Sequence, residues 1–142
     1  MNKWELIIWP SNGSNNQRFK LEKKGDYYMI RCVADKRVID VAGSELGGEV
    51  CLYSNAHGGP NQLWKLNKLD DFGMFEIESK LNKDYVLDVR GGKGNDGDTL
   101  LCYKRHGGMN QRWHLMANGD GTYTILSNTP RKLALDCKGG GK

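Results

Sequence analysis

The stretch Asn110-Gln111-Arg112-Trp113-His114-Leu115 returns as Asn61-Gln62-Leu63-Trp64-Lys65-Leu66 and again as Asn16-Gln17-Arg18-Phe19-Lys20-Leu21, so the pattern NQx(W/F)xL occurs three times. A second series, an aliphatic residue before aspartate, runs Ile39-Asp40-Val41, Leu87-Asp88-Val89 and Leu135-Asp136-Cys137, with 48 residues between successive aspartates. The two series interleave, since Asp40 precedes Gln62 by 22 residues and Asp88 precedes Gln111 by 23. Counting from Asp136 to the last residue and on from the first to Gln17 also gives 23. The two chain ends are therefore expected to be neighbours that complete one repeat between them. A closed threefold ring allows this; an open solenoid does not.

Each copy of the motif is followed by turn residues, Lys24-Gly25-Asp26, Asp70-Asp71-Phe72-Gly73 and Asn118-Gly119-Asp120-Gly121. Strand-like runs come next, at 27–33, 74–78 and 123–126. After the aliphatic-Asp segment lies a Gly-rich loop, such as residues 91–97, and then another strand, at 49–53 or 99–103. About four strands fit in each repeat. No window keeps an i, i+3, i+4, i+7 apolar stripe, so almost no helix is expected. The fold class is all-β, with about twelve short strands whose closure leaves few bare edges.

The 142 residues suffice for a single domain, 1–142, that buries about two-thirds of its unfolded surface. Hydrophobic residues at 38% and charged residues at 27% suit a globular chain, and 19 glycines against three prolines suit many tight turns. No apolar run reaches the ~18 residues that cross a bilayer. The start MNKWELIIWP has no basic region followed by a long apolar one. With no signal peptide visible, a cytoplasmic protein or one released by a non-classical route is expected. The net charge of +4 is scattered, so nucleic acid is not an expected partner. Cys32, Cys51, Cys102 and Cys137 lie far apart, with no CxxC and no histidine at zinc-ligand spacing. Reduced thiols are favoured, and no metal or cofactor is expected.

Three QxW-type motifs in register with three aspartates resemble the ricin B-type lectin family over essentially the whole chain. That resemblance implies a β-trefoil of three pseudo-symmetric repeats, with the third split between the termini. Phe19 for tryptophan is a departure from the motif. Trp64, Trp113 and Phe19 read as core anchors, and Gln62, Gln111 and Gln17 as amides that satisfy buried backbone groups.

The aspartates read differently, because a carboxylate beside a Gly-rich loop has little to do for a core and can accept two adjacent sugar hydroxyls. The plain alternative is that they cap turns. Each is followed by an aromatic residue, Tyr53, Tyr103 or, across the ends, Trp9, and then by Asn61, Asn110 or Asn16. A pyranose can lie with its C–H face on such a ring while polar groups hold its hydroxyl edge. Carried over by position, the resemblance implies three sugar sites: Asp40 with Tyr53 and Asn61, Asp88 with Tyr103 and Asn110, and Asp136 with Trp9 and Asn16. Where many family members carry a polar ligand two residues before the ring, this chain has Cys51, Leu101 and Ile7. His57 and His106 recur in His-Gly-Gly-x-Asn-Gln, where they either donate to a sugar or close a tight turn.

Enzyme motifs are missing from the sequence: there is no nucleophile elbow, P-loop or HExxH. One acid per symmetric repeat also puts the carboxylates on separate faces, whereas glycoside hydrolysis needs two about 5 to 10 Å apart. The expected function is non-catalytic, multivalent recognition of glycans, and the resemblance implies galactose or N-acetylgalactosamine. Two alternatives stay open: a module that binds sulfated or other anionic polysaccharide, or the glycan-targeting module of a larger toxin or hydrolase. Oligomerisation is also left open.

Overall fold

In the computed structural model, which describes residues 3–138, the chain forms twelve strands and four single-turn 3-10 helices. The strands are β1 (Lys3–Trp9), β2 (Phe19–Lys24), β3 (Tyr27–Cys32), β4 (Val38–Val41), β5 (Glu49–Tyr53), β6 (Trp64–Lys68), β7 (Met74–Ser79), β8 (Tyr85–Val89), β9 (Leu100–Lys104), β10 (Trp113–Ala117), β11 (Tyr123–Ser127) and β12 (Ala134–Cys137). Three of the 3-10 turns, Asn15–Gln17, Pro60–Gln62 and Met109–Gln111, end on the motif glutamine. Each brings the motif aromatic into the strand that follows.

The pairing repeats three times. Every aliphatic-Asp strand forms a hairpin with the next strand of its repeat: β4 with β5, β8 with β9, and β12 with β1. Every motif strand forms a second hairpin, β6 with β7, β10 with β11 and β2 with β3. Neighbouring repeats join at equivalent registers, Tyr28↔Trp64, Phe75↔Trp113 and Tyr123↔Phe19. The ends do meet: β1 runs antiparallel to β12 with Leu6↔Cys137, Ile7↔Asp136 and Ile8↔Leu135. Residues 139–142, on which the expected split repeat also draws, lie outside the described residues.

The core consists of symmetric triplets because each repeat buries the same positions. Ile39, Leu87 and Leu135 form one set, and Ile30, Ile77 and Ile125 another, all without exposure. Trp64, Trp113 and Phe19 are fully buried among them. Burying an aromatic of this size removes about 150 to 250 Å² from water, which makes these rings the largest single contributions to the core. Both indoles also donate from Nε1 at 3.1 Å, Trp64 to the Ile39 carbonyl and Trp113 to that of Leu87. Phe19 takes the equivalent place with a smaller ring and without that bond. The four cysteines are buried and unbridged.

Candidate functional site

The first two aspartates are placed by their hairpins. Asp40 faces Cys51 across β4 and β5, and Asp88 faces Leu101 across β8 and β9. Side chains opposite one another share a sheet face, so each carboxylate stands beside an apolar floor. Tyr53 and Tyr103 lie two residues further along and point to the same side. One cleft, of about 400 Å³, is lined by Asp88, Gly91, Gly92, Leu101, Tyr103, His106 and Asn110. A second, of about 240 Å³, is lined by Asp40, Ala42, Gly43, Cys51, Tyr53, His57 and Asn61. An aspartate, a glycine, a tyrosine, a histidine and an asparagine thus line equivalent places in two repeats.

The aspartates are deeper than expected. Asp40, Asp88 and Asp136 are only 3 to 4% exposed, which corrects the reading that they have little to do for the core. Each accepts from a motif glutamine: Gln62 Nε2 at 2.8 Å, Gln111 Nε2 at 2.9 Å and Gln17 Nε2 at 2.8 Å. The second proton of each amide goes to a backbone carbonyl, of Asn55, Lys104 or Pro10. Each Oε1 accepts a backbone N–H, from Gly58, His106 or Asn12. The glutamines therefore do satisfy the backbone, as their burial requires, and they also hold the acid in place. Sequence reasoning missed that second bond, although the 22- and 23-residue Gln–Asp spacing signals it.

Burial pushes the carboxyls of Asp40 and Asp88 above the usual value, against the opposing pull of the Gln62 and Gln111 amides. The asparagines differ. Asn61 donates to Asp40 at 3.2 Å and Asn16 to Asp136 at 2.9 Å, whereas Asn110 donates to the Val89 carbonyl.

Of the two roles considered for the histidines, the structure shows the turn closure. His57 Nδ1 accepts from Gly59 N at 2.9 Å and His106 Nδ1 from Gly108 N at 3.0 Å, which closes the turn. The ring proton then sits on Nε2, facing the cleft. His106 Nε2 lies 3.8 Å from Asp88 Oδ2, too far for a direct hydrogen bond and well placed to share a hydroxyl between them. The Tyr103 and His106 rings meet edge to face, with centroids 6.4 Å apart. Gly59 and Gly108 permit this arrangement, because a Cβ there would fall 2.8 Å from His57 Cε1 or 2.7 Å from His106 Cε1. In the third repeat Asn12 replaces the histidine, and Ser14, which bonds Asn12 Oδ1, replaces the glycine.

The third site has Asp136 opposite Ile7, and Trp9 is 43% exposed. The positions matching the Gly91–Gly92 wall are 139 and 140, outside the described residues. Among the described residues no helix is long and apolar enough to cross a membrane.

Three four-stranded repeats closed on a pseudo-threefold axis, with a buried acid and an aromatic ring in each, define a ricin-type β-trefoil. The sequence profile of the ricin-type β-trefoil lectin domain-like family matches residues 15–103 and, overlapping, 60–142, and the chain belongs to that family. Its members are carbohydrate-binding domains, generally non-catalytic. The designed threefold-symmetric protein ThreeFoil is 31% identical with a TM-score of 0.67, over 75% of this chain and 74% of that one. An exo-β-1,3-galactanase from Clostridium thermocellum is 27% identical with a TM-score of 0.68, over 80% of this chain and only 30% of the enzyme. The C-half of an earthworm R-type lectin, solved with GalNAc, is 20% identical with a TM-score of 0.58, over 88% of this chain and 82% of that one.

Proposed function

We propose that the protein is a multivalent lectin that binds galactose- or N-acetylgalactosamine-type glycans without cleaving them. The observation that carries this reading is the pair of matched clefts, each with a carboxylate across from a tyrosine ring and an imidazole Nε2–H within reach of the same space. The sugar's C–H face lies on Tyr53 or Tyr103, and adjacent hydroxyls donate to Asp40 or Asp88. Asn61 and Asn110 complete the polar edge. Trp9, Asp136 and Asn16 supply the same groups for a third site. The GalNAc held by the earthworm lectin supports this choice of sugar.

Shallow single sites imply affinities near the millimolar scale, and several on one rigid body raise avidity by roughly 10² to 10⁴ on a glycan-coated surface. A glycan array with free galactose as competitor tests the sugar class. Tyr103→Ala tests the site: the ring is 47% exposed, so the variant keeps its unfolding temperature and loses one equivalent of galactose by calorimetry. Undiminished stoichiometry would refute the reading. A second reading, a targeting module within a larger hydrolase, is favoured by the galactanase, of which this chain matches 30%.

A further inference from the structure

Away from the clefts, the sulfurs of Cys32 and Cys137 and a carboxylate oxygen of Asp35 all lie within 4.8 Å of one another. We propose that these three side chains bind a thiophilic divalent cation, Zn²⁺, through two thiolates and one carboxylate oxygen. Tetrahedral zinc sets its sulfur ligands about 3.8 Å apart and a sulfur and an oxygen about 3.6 Å apart, given Zn–S near 2.3 Å and Zn–O near 2.1 Å. From the 4.8 Å within which they all lie, the ligand atoms need to draw together by at most about 1.2 Å to seat such an ion. Both cysteines have zero exposure, while Asp35 is half-buried, so the fourth position opens to water on the carboxylate side.

The charges close as well. Two thiolates and a carboxylate against one divalent ion leave one negative charge, and Arg37 supplies the balancing positive one. Its Nη1 lies 2.9 Å from Asp35 Oδ2 and its backbone N–H donates to Oδ1 at 3.0 Å. Those bonds aim the carboxylate and leave each oxygen a lone pair for a metal. Binding releases the two thiol protons to solvent.

The pseudo-symmetry supplies an independent argument. Cys32 pairs with Phe19 as Ser79 pairs with Trp64 and Ser127 with Trp113. Cys137 follows its aspartate as Val41 and Val89 follow theirs. Asp35 caps its turn as Asn82 does, by accepting the N–H two residues on. The other repeats thus fold with serine and valine where this one has two thiols, so the shared architecture does not itself call for cysteine. The ion would tie the end of β3 to the strand that carries Asp136.

The test uses the full chain, reduced and free of metal, titrated with Co²⁺. A single equivalent is expected to give thiolate-to-cobalt charge transfer in the near ultraviolet and tetrahedral bands in the red, both erased by Zn²⁺. Cys32→Ser and Cys137→Val borrow the residues of the sister repeats, so they fold, and each abolishes the spectrum. Asp35→Asn weakens binding by about tenfold or more. Zn²⁺ raises the unfolding temperature of the parent but not of the cysteine variants. Reduced protein without charge-transfer bands would overturn the proposal, as would bands that survive Cys137→Val. So would a native Cys32–Cys137 disulfide, seen by mass, whose reduced form takes no Co²⁺. None of these readouts depends on sugar binding.

Discussion

Replacing Asp88 by alanine strips Gln111 of one acceptor and leaves it the other, at Lys104. From the sequence alone, such a change should remove a sugar site at little cost to the fold. With the carboxylate buried against the amide, Asp88→Ala instead costs about 1 to 3 kcal/mol, because a buried N–H loses its partner. Chemical denaturation checks this value, and a cost near zero would show that water replaces the carboxylate freely. The raised carboxyls of Asp40 and Asp88 carry a pH signature. A folded pKa above the unfolded one contributes stability that is fully present below the unfolded value and lost as pH rises through the folded value. Glycan binding depends on pH in the opposite sense, since it needs the ionised acceptor. Calorimetry with galactose from about pH 7 down to about pH 4 should show affinity falling at a higher pH than an ordinary aspartate would give. Affinity held constant through that range would contradict it.

At the scale of elements, the motif strands show what the sequence disclosed. The NQx(W/F)xL spacing placed the buried rings, and the turn residues placed the hairpins to within a residue or two: 27–33 became Tyr27–Cys32, and 99–103 became Leu100–Lys104. What a one-dimensional pattern could not disclose were partners distant in the chain, such as the Gln62–Asp40 bond or the company Cys32 keeps with Cys137. Nor could it foresee the bond from Asn110 Nδ2 to the Val89 carbonyl. Phe19 is a built-in control for the indoles. Trp113→Phe, which keeps an aromatic ring and forfeits the bond to Leu87 and part of the indole, should cost roughly 1 kcal/mol for the bond plus a volume term. Trp113→Ala should cost about 3 to 5 kcal/mol. Equal losses for the two variants would mean that the hydrogen bond outweighs the packing.

For the molecule as a whole, the antiparallel match of β1 with β12 makes a rearranged chain order feasible. A circular permutant opened in the exposed turn at Asp71, with Lys142 joined to Met1, should keep the parent's circular dichroism, cooperative unfolding and galactose stoichiometry. A permutant that fails to fold would mean that the joined ends distort this pairing. The same match bears on how the protein is made. Residues 3–5 find β5 soon after they emerge and Ile8 bonds residues 97 and 98 later, but the other edge of residues 6–9 waits for β12. At ~5 to 20 residues per second, a ribosome keeps Leu6 without Cys137 for roughly ten seconds. During that interval the hairpin of the split repeat is half made, and the threefold ring keeps an open seam along the β12 side of β1 until that last strand emerges.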